Sequence, residues 1–223
     1  FAVMAAVIKE GRRIYDNIKK SILFLLPTSF AEGLVVAFSI LTGQQVPLQP
    51  AQLLWINLIA AITIQFAFVF EKAEKGIMDR NPRPVTQRLM NRHDLIQMGY
   101  VSALMALFAL IGYEWFISTG ADVVNATTMM VNTIVISKAF YFFSIRTERY
   151  GLKEVGNIGK KAWGVIGLMI LFQLIFTYVP FMQAAFHVTG ISLLEWLAVI
   201  VFSCLIFLCT ESDKMIRFRL NRR

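Results

Sequence analysis

The sequence contains little of what metal and redox centres are built from. Only 2 of its 223 residues are cysteines. Cys204 and Cys209 lie five residues apart inside one apolar stretch, a spacing that matches no metal-binding or redox motif. We therefore interpret both as small apolar side chains buried in lipid or protein.

Charged residues are the second scarcity. They make up 16% of the chain, whereas hydrophobic residues make up 57% and the mean hydropathy is +0.62. The net charge of +8 is divided between apolar blocks and forms no long basic face, so we expect no nucleic-acid partner. A soluble domain is rarely this apolar, and the composition indicates a membrane protein.

The apolar residues form six blocks of about 20 residues, the length at which a helix crosses the hydrocarbon layer. Lipid offers the backbone no hydrogen bonds, so each block should be a helix. The sequence therefore predicts an all-α, polytopic membrane protein with a bundle of six transmembrane helices. The blocks are residues 21–41, 51–70, 95–118, 126–144, 162–182 and 191–210.

Lysine and arginine are absent from every second connection between these blocks. All but one of the 22 Lys and Arg residues lie in stretches 9–20, 72–92, 146–161 and 214–223. Cytoplasmic loops are enriched in Lys and Arg, so these stretches and both termini should be cytoplasmic. The exception is Lys138, inside the fourth block.

The first block carries an unusual group of polar residues. Pro27 removes one backbone hydrogen bond and should free the carbonyl of Leu23. Thr28 and Ser29 precede Glu32 by four and three residues, so the three share one helix face. A loose carbonyl, two hydroxyls and a carboxylate are oxygen ligands for a dehydrated cation. The alternative is a tolerated kink with a protonated glutamate.

Three further polar residues interrupt later blocks. Asn57 in the second block is either a ligand or a hydrogen-bonding link between helices. Lys138 lies about six residues from the cytoplasmic end of its block, so it either pairs inside the bundle or extends to the membrane surface. Gln173 in the fifth block is interpreted as a link between helices, with a place in the lining of the site as the alternative.

With these residues in view, the chain resembles the C-terminal membrane half, helices five to ten, of a type-two P-type cation-transporting ATPase. Residues 8–18 resemble the segment that joins the phosphorylation domain to helix five, and residues 26–34 resemble the ion-site stretch of that helix. The remaining matches are 52–58 at the start of helix six, 76–83 in the loop after it and 146–149 after helix eight.

The resemblance implies roles for individual residues. Glu32 matches the helix-five carboxylate, Ser29 stands where many members have Asn, and Asn57 matches the helix-six Asn. Lys138 stands at or next to a position where relatives have Gln or Glu. The implied ion-transport residues are Glu32, Ser29, Thr28, Asn57 and Lys138, with Glu32 and Asn57 as the metal ligands.

Two departures from the family's pattern reduce the expected number of ions. Calcium pumps have Thr-Asp where this chain has Ala60-Ala61, and Lys138 adds a positive charge. A site with one carboxylate and an ammonium suits two dehydrated divalent ions poorly. We expect one ion at most, with Lys138 as counter-cation to Glu32 in the empty site. Na⁺, K⁺, H⁺ and Ca²⁺ all stay open.

The resemblance also divides the chain. Residues 1–20 would be the tail of the phosphorylation domain and a cytoplasmic stalk, 21–210 the cation-transport domain, and 211–223 a basic cytoplasmic tail. The expected partners are the lipid bilayer, the transported cation and a missing N-terminal half that contains helices one to four and the cytoplasmic domains. We expect a multi-pass protein of the cell membrane.

The family's energy-coupling motifs, Asp-Lys-Thr-Gly-Thr, Thr-Gly-Glu-Ser and Gly-Asp-Gly, are absent from this sequence. This chain alone should therefore not hydrolyse ATP and should bind no cofactor, with ATP and Mg acting in the presumed parent pump. The predicted function is the ion-translocation domain of that pump. The alternatives are an accessory membrane module and an independent channel or secondary transporter.

Overall fold

The computed structural model of the chain describes residues 2–69, 71, 73, 76–79, 81, 89–146 and 160–220. These residues are helical apart from their connections, and no strand occurs among them. The all-α fold is therefore confirmed. The helices are α1 (Ala2–Leu41), α2 (Pro50–Ala60), a π-helix (Ala61–Gln65), α3 (Phe66–Val69), α4 (Arg92–Ser118), α5 (Val123–Arg146), α6 (Lys160–Tyr178), α7 (Pro180–Phe186) and α8 (Leu193–Leu220).

Five of the described helical segments are long and apolar enough to cross a membrane, and a bent pair makes a sixth. The bent pair differs from the predicted uninterrupted block 162–182. Helix α6 ends at Tyr178, and α7 begins at Pro180 after a bend of 77°. Proline lacks the N–H that would continue α6 and is well suited to the first position of a new helix.

The predicted stalk and first span are one helix of 40 residues, α1. It passes the proposed domain boundary at residue 20 without a break, and α8 passes the one at residue 210 in the same way. The connection after α3 packs on the stalk, where Arg12 Nη1 donates to the carbonyl of Ile77 at 2.7 Å. The division into three domains remains a prediction.

Contacts between helix ends define two ends of the bundle. The first, called here the basic end, joins the middle of α1 and the start of α4 with the ends of α5 and α8. Which side of the membrane it faces remains a prediction. The contacts at the basic end include Lys19 Nζ to Asp94 Oδ2 (2.9 Å) and Ser144 Oγ to Glu211 Oε1 (2.9 Å). The contacts at the opposite end include Gln52 Nε2 to the Phe186 carbonyl (2.9 Å) and Asn125 Nδ2 to Glu195 Oε1 (2.8 Å).

Helix α5 is the centre of the bundle. In its membrane-crossing stretch 83% of the residues are buried, against 28% in α8. Polar side chains on such a helix face other helices instead of lipid, and there they can find partners. The central position of α5 therefore explains how it accommodates Asn132 and Lys138, both of which are buried.

Candidate cation site

Glu32 lies buried where α1, α2 and α5 converge. Its Oε1 accepts a hydrogen bond from Lys138 Nζ at 2.6 Å, and its Oε2 accepts one from Asn57 Nδ2 at 2.6 Å. The side chains of Lys138 and Glu32 are only 2% and 5% exposed. Burying either charge here without a partner would lower the stability by roughly several kcal/mol. In the ion pair each charge compensates the other.

Lys138 forms a buried ion pair and does not extend to the membrane surface. Its ammonium group is engaged by Glu32 across two helices. Extension to the surface, the alternative interpretation of this residue, would require an exposed ammonium group. The structure therefore favours pairing inside the bundle over extension.

The carbonyl freed by Pro27 does not belong to this site, contrary to expectation. The hydroxyl of Tyr141 on α5 donates to the Leu23 carbonyl at 3.1 Å. Leu23 also precedes Glu32 by nine residues, about 13 Å along a helix. The proline thus provides an acceptor for a second link between α1 and α5, and not a ligand beside Glu32.

The two hydroxyls predicted beside Glu32 are placed differently from each other. Thr28 is buried, and its Oγ1 donates to the carbonyl of Leu25 in its own helix at 3.0 Å. Ser29 is half-buried and forms no hydrogen bond with another described residue. The structure therefore brings Glu32, Asn57 and Lys138 into contact, whereas Thr28 and Ser29 lie on the same helix without joining that network.

Ser137 is a residue of this region that the sequence did not assign to the site. Its side chain is buried, and its Oγ has no hydrogen-bond partner among the described residues. Together with Glu32 it lines a small cavity between α1, α4 and α5. Its position next to Lys138 was the one signal in the sequence that could have pointed to it.

The π-helix Ala61–Gln65 is a second feature that the sequence did not predict. It begins one turn after Asn57, at the Ala60-Ala61 pair. Short π segments inside α-helices are frequent at functional sites. The segment contains no glycine or proline, so composition gave no signal for it.

A neutral polar network lies deeper toward the opposite end and joins α2, α5 and α6. Gln173 Nε2 donates to Asn132 Oδ1 at 2.9 Å, and Trp55 Nε1 donates to Gln173 Oε1 at 3.3 Å. Asn132 Nδ2 also donates to Thr177 Oγ1 at 3.2 Å. Gln173 therefore links helices, in agreement with its interpretation from the sequence.

Acidic and metal-ligating side chains are not clustered at Glu32. Within the described ranges, no group of three or more His, Cys, Asp or Glu residues could hold a metal ion. Any cation at Glu32 would therefore depend on amide, hydroxyl and backbone oxygens besides this carboxylate.

The sequence profile of the family described as "Cation transporting ATPase, C-terminus" matches residues 45–216, about three quarters of the chain. The chain belongs to this family of P-type cation-transporting ATPases. The resemblance seen in the motifs is thereby confirmed, and the chain is a multi-pass membrane protein.

Individual members of this family align with nearly the whole chain. "Probable cation-transporting ATPase F" of Mycobacterium tuberculosis is 32% identical over 97% of the chain. "Calcium-transporting ATPase 1" of Yarrowia lipolytica is 28% identical, and "Calcium-transporting ATPase type 2C member 2" of Mus musculus is 26% identical, each over 96% of the chain. The chain spans 24%, 23% and 23% of the length of these relatives, respectively.

Proposed function

We propose that this chain is the cation-translocation part of an ATP-driven P-type pump, and that Glu32 and Asn57 are ligands of the transported cation. The observation that carries the proposal is the buried Glu32 carboxylate, held between the amide of Asn57 and the ammonium of Lys138. Ionised residues inside a membrane bundle are costly, and they usually mark ion pathways.

Lys138 acts in this mechanism as the counter-cation of the empty site. Its ammonium balances the charge of Glu32 when no cation is bound. A second positive charge at about 4 Å from the ammonium would meet a repulsion of roughly 4 kcal/mol at the effective dielectric constant of a protein. Cation binding and the contact between Lys138 and Glu32 therefore compete, and the site holds one ion at most.

The α1 and α2 residues beside the site are more exposed than Lys138 on α5. Ser29 and Asn57 are only half-buried, and the neighbouring apolar side chains Phe30 and Leu58 are 60% and 52% exposed. A dehydrated cation needs about six oxygen ligands, more than these residues provide. In this proposal the N-terminal half of the pump, with helices one to four, covers this face and supplies further ligands. Thr28 has a structural role in this proposal, because its hydroxyl bonds to the Leu25 carbonyl of its own helix.

In this proposal, energy coupling takes place in the N-terminal half of the pump. We place ATP and Mg in the cytoplasmic domains of the parent, with residues 1–20 as the end of the phosphorylation domain and the stalk. Helix α1 connects that stalk to Glu32 without a break, so a displacement of the stalk would be transmitted to the carboxylate. This continuity supports the coupling route.

The test is cation-stimulated ATP hydrolysis by the full-length protein, measured over a panel of Na⁺, K⁺, H⁺ and Ca²⁺. Glu32→Gln alone leaves Lys138 buried without a counter-charge, so the informative variant combines Glu32→Gln with Lys138→Met. We expect this folded variant to lose cation stimulation, while the exposed control Glu114→Gln keeps it. Unchanged stimulation in the double variant would contradict the proposal. Cation flux without ATP, through vesicles that contain this chain, would favour a channel or secondary transporter instead.

A further inference from the structure

Ser137 departs from a rule that most of the described buried hydroxyls of this bundle follow. A serine or threonine inside a helix normally satisfies its hydroxyl by donating to the carbonyl four residues earlier. Buried residues that do so here are Ser39, Thr63, Ser102, Thr128, Thr133, Thr177, Ser203 and Thr210.

Ser137 does not use the carbonyl four residues earlier, that of Thr133. Ser203 Oγ on α8 lies 3.1 Å from this carbonyl, but its one proton has a shorter contact, at 2.7 Å, with the carbonyl of Val199. Ser137 Oγ is left without a partner in the described part of the chain, although the residue is only 2% exposed. A buried hydroxyl without a hydrogen bond destabilises the folded state, so an occupant that supplies a hydrogen bond is favoured.

The place for that occupant is the cavity between α1, α4 and α5. Glu32, Ala106 and Ser137 are among the residues that line it, and its cavity volume is about 10 Å³. A cavity of about this volume holds one water molecule when two or more polar groups face it. Ser137 Oγ and the Glu32 carboxylate are two such groups.

We propose that one water molecule occupies this cavity and bridges Ser137 Oγ to the Glu32 carboxylate. Each carboxylate oxygen can accept two hydrogen bonds, so the contacts with Lys138 and Asn57 leave capacity for a third donor. The occupant is water and not a second cation, because Ser137 directly precedes Lys138 and a cation would meet its ammonium. Ser137 is in this account a positioning residue that acts on Glu32 through the water.

The effect on transport rests on the function proposed above. When a cation displaces Lys138, the carboxylate loses its charged donor but keeps the water. The water then continues to orient the carboxylate toward Asn57 and the cation. The existence of the water depends only on the geometry, so the two proposals can fail separately.

The direct experiment is a structure of the full-length protein at a resolution that shows other buried waters. We expect density for one water between Ser137 and Glu32, retained in Ser102→Ala and lost in Ser137→Ala. Ser102 is the matched control because it is a buried serine on α4, one turn before the cavity-lining Ala106, and its hydroxyl is satisfied within its own helix. An empty cavity in the unsubstituted protein, or density that persists in Ser137→Ala, would overturn the proposal.

A second experiment tests the positioning role. Infrared difference spectra should identify the carboxylate band of Glu32, which we expect to shift in Ser137→Ala and to stay in place in Ser102→Ala. The cation concentration for half-maximal ATPase stimulation should rise about threefold to tenfold in Ser137→Ala, the effect of losing one ordinary hydrogen bond, that between Ser137 and the water. An unmoved band and an unchanged concentration would overturn the positioning role. Absence of cation stimulation in the unsubstituted protein would instead contradict the function proposed above.

Discussion

Among the residues that the structure describes, two lysine–glutamate pairs lie inside the bundle, and they differ in what they connect. Lys138 and Glu32 meet at 2.6 Å across α5 and α1, with side chains 2% and 5% exposed. Lys214 and Glu211 meet at 3.0 Å within α8, three residues apart, with side chains 15% and 8% exposed. The second pair survives any rigid movement of its helix, whereas the first exists only while α1 and α5 keep their relative position.

The partners of the two glutamates sharpen the contrast. Glu211 also accepts a hydrogen bond from Ser144 Oγ at 2.9 Å, and Lys214 also donates to the Ser144 carbonyl. That cluster fastens the end of α8 to α5 at the basic end. Glu32 by contrast has a half-buried amide on one side and a cavity with an unpartnered hydroxyl on the other. Because further polar groups lie next to Glu32, its carboxylate is suited to exchange Lys138 for another partner.

Removing Lys138 should have the largest effect. Lys138→Met leaves the Glu32 carboxylate buried without a counter-charge, which should lower the free energy of unfolding by about 3–5 kcal/mol. Denaturant titration of the purified protein in mixed micelles measures this change. Adding Glu32→Gln should restore most of the loss, since both charges are then gone. Equal stabilities for the unsubstituted protein and Lys138→Met would mean that the pair does not form.

Lys138→Ala in the complete pump should change the cation affinity or the charge moved per cycle, because the internal counter-cation is gone. Cation titration of ATPase activity and current measurements on vesicles report these two quantities. Unchanged values for both would refute the counter-cation role.

Asn57 should show an intermediate effect. Asn57→Leu keeps the volume but removes the amide that donates to Glu32 Oε2. A hydrogen bond to a charged group contributes about 1.5–3 kcal/mol, and we expect a loss of stability in this range. Cation affinity should fall as well, because the amide oxygen is a proposed ligand. A loss of stability without any change in affinity would restrict Asn57 to linking helices.

Tyr141 tests the second link between α1 and α5. Tyr141→Phe removes the hydroxyl that donates to the Leu23 carbonyl, a bond between membrane helices worth about 1 kcal/mol. Phe140→Tyr, which adds a hydroxyl on the adjacent residue, serves as the control for side-chain size. Equal stabilities of the Tyr141→Phe variant and the unsubstituted protein would show that the Leu23 carbonyl accepts a hydrogen bond from another donor.

Lys214 should show the smallest effect. In Lys214→Met, Glu211 keeps its hydrogen bond from Ser144, so the stability should fall by about 1 kcal/mol or less, as for a pair within one helix. Cation affinity should not change. An effect as large as that of Lys138→Met would remove the distinction between the two pairs.

The sequence was sufficient to predict the helical fold and to single out Glu32, Asn57 and Lys138. In lipid, a long apolar block satisfies its backbone hydrogen bonds by forming a helix. Ionised residues within such a block are easily recognised in the sequence. The bend before Pro180 was readable in principle, because proline at that position favours a new helix. The π-helix left no trace in composition.

The unmet expectations concern partners that come from other helices. The Leu23 carbonyl accepts a hydrogen bond from Tyr141, which is more than 100 positions away in sequence. Helical spacing shows which residues share a face of one helix. It does not show which residue of a neighbouring helix contacts that face.

The most direct measurement is a structure of the full-length protein saturated with the cation that stimulates its ATPase activity. The account predicts that the Lys138 ammonium has left Glu32 and that the cation is bound by the Glu32 carboxylate and the Asn57 amide oxygen. A bound cation elsewhere, with the contact between Lys138 and Glu32 intact, would contradict it.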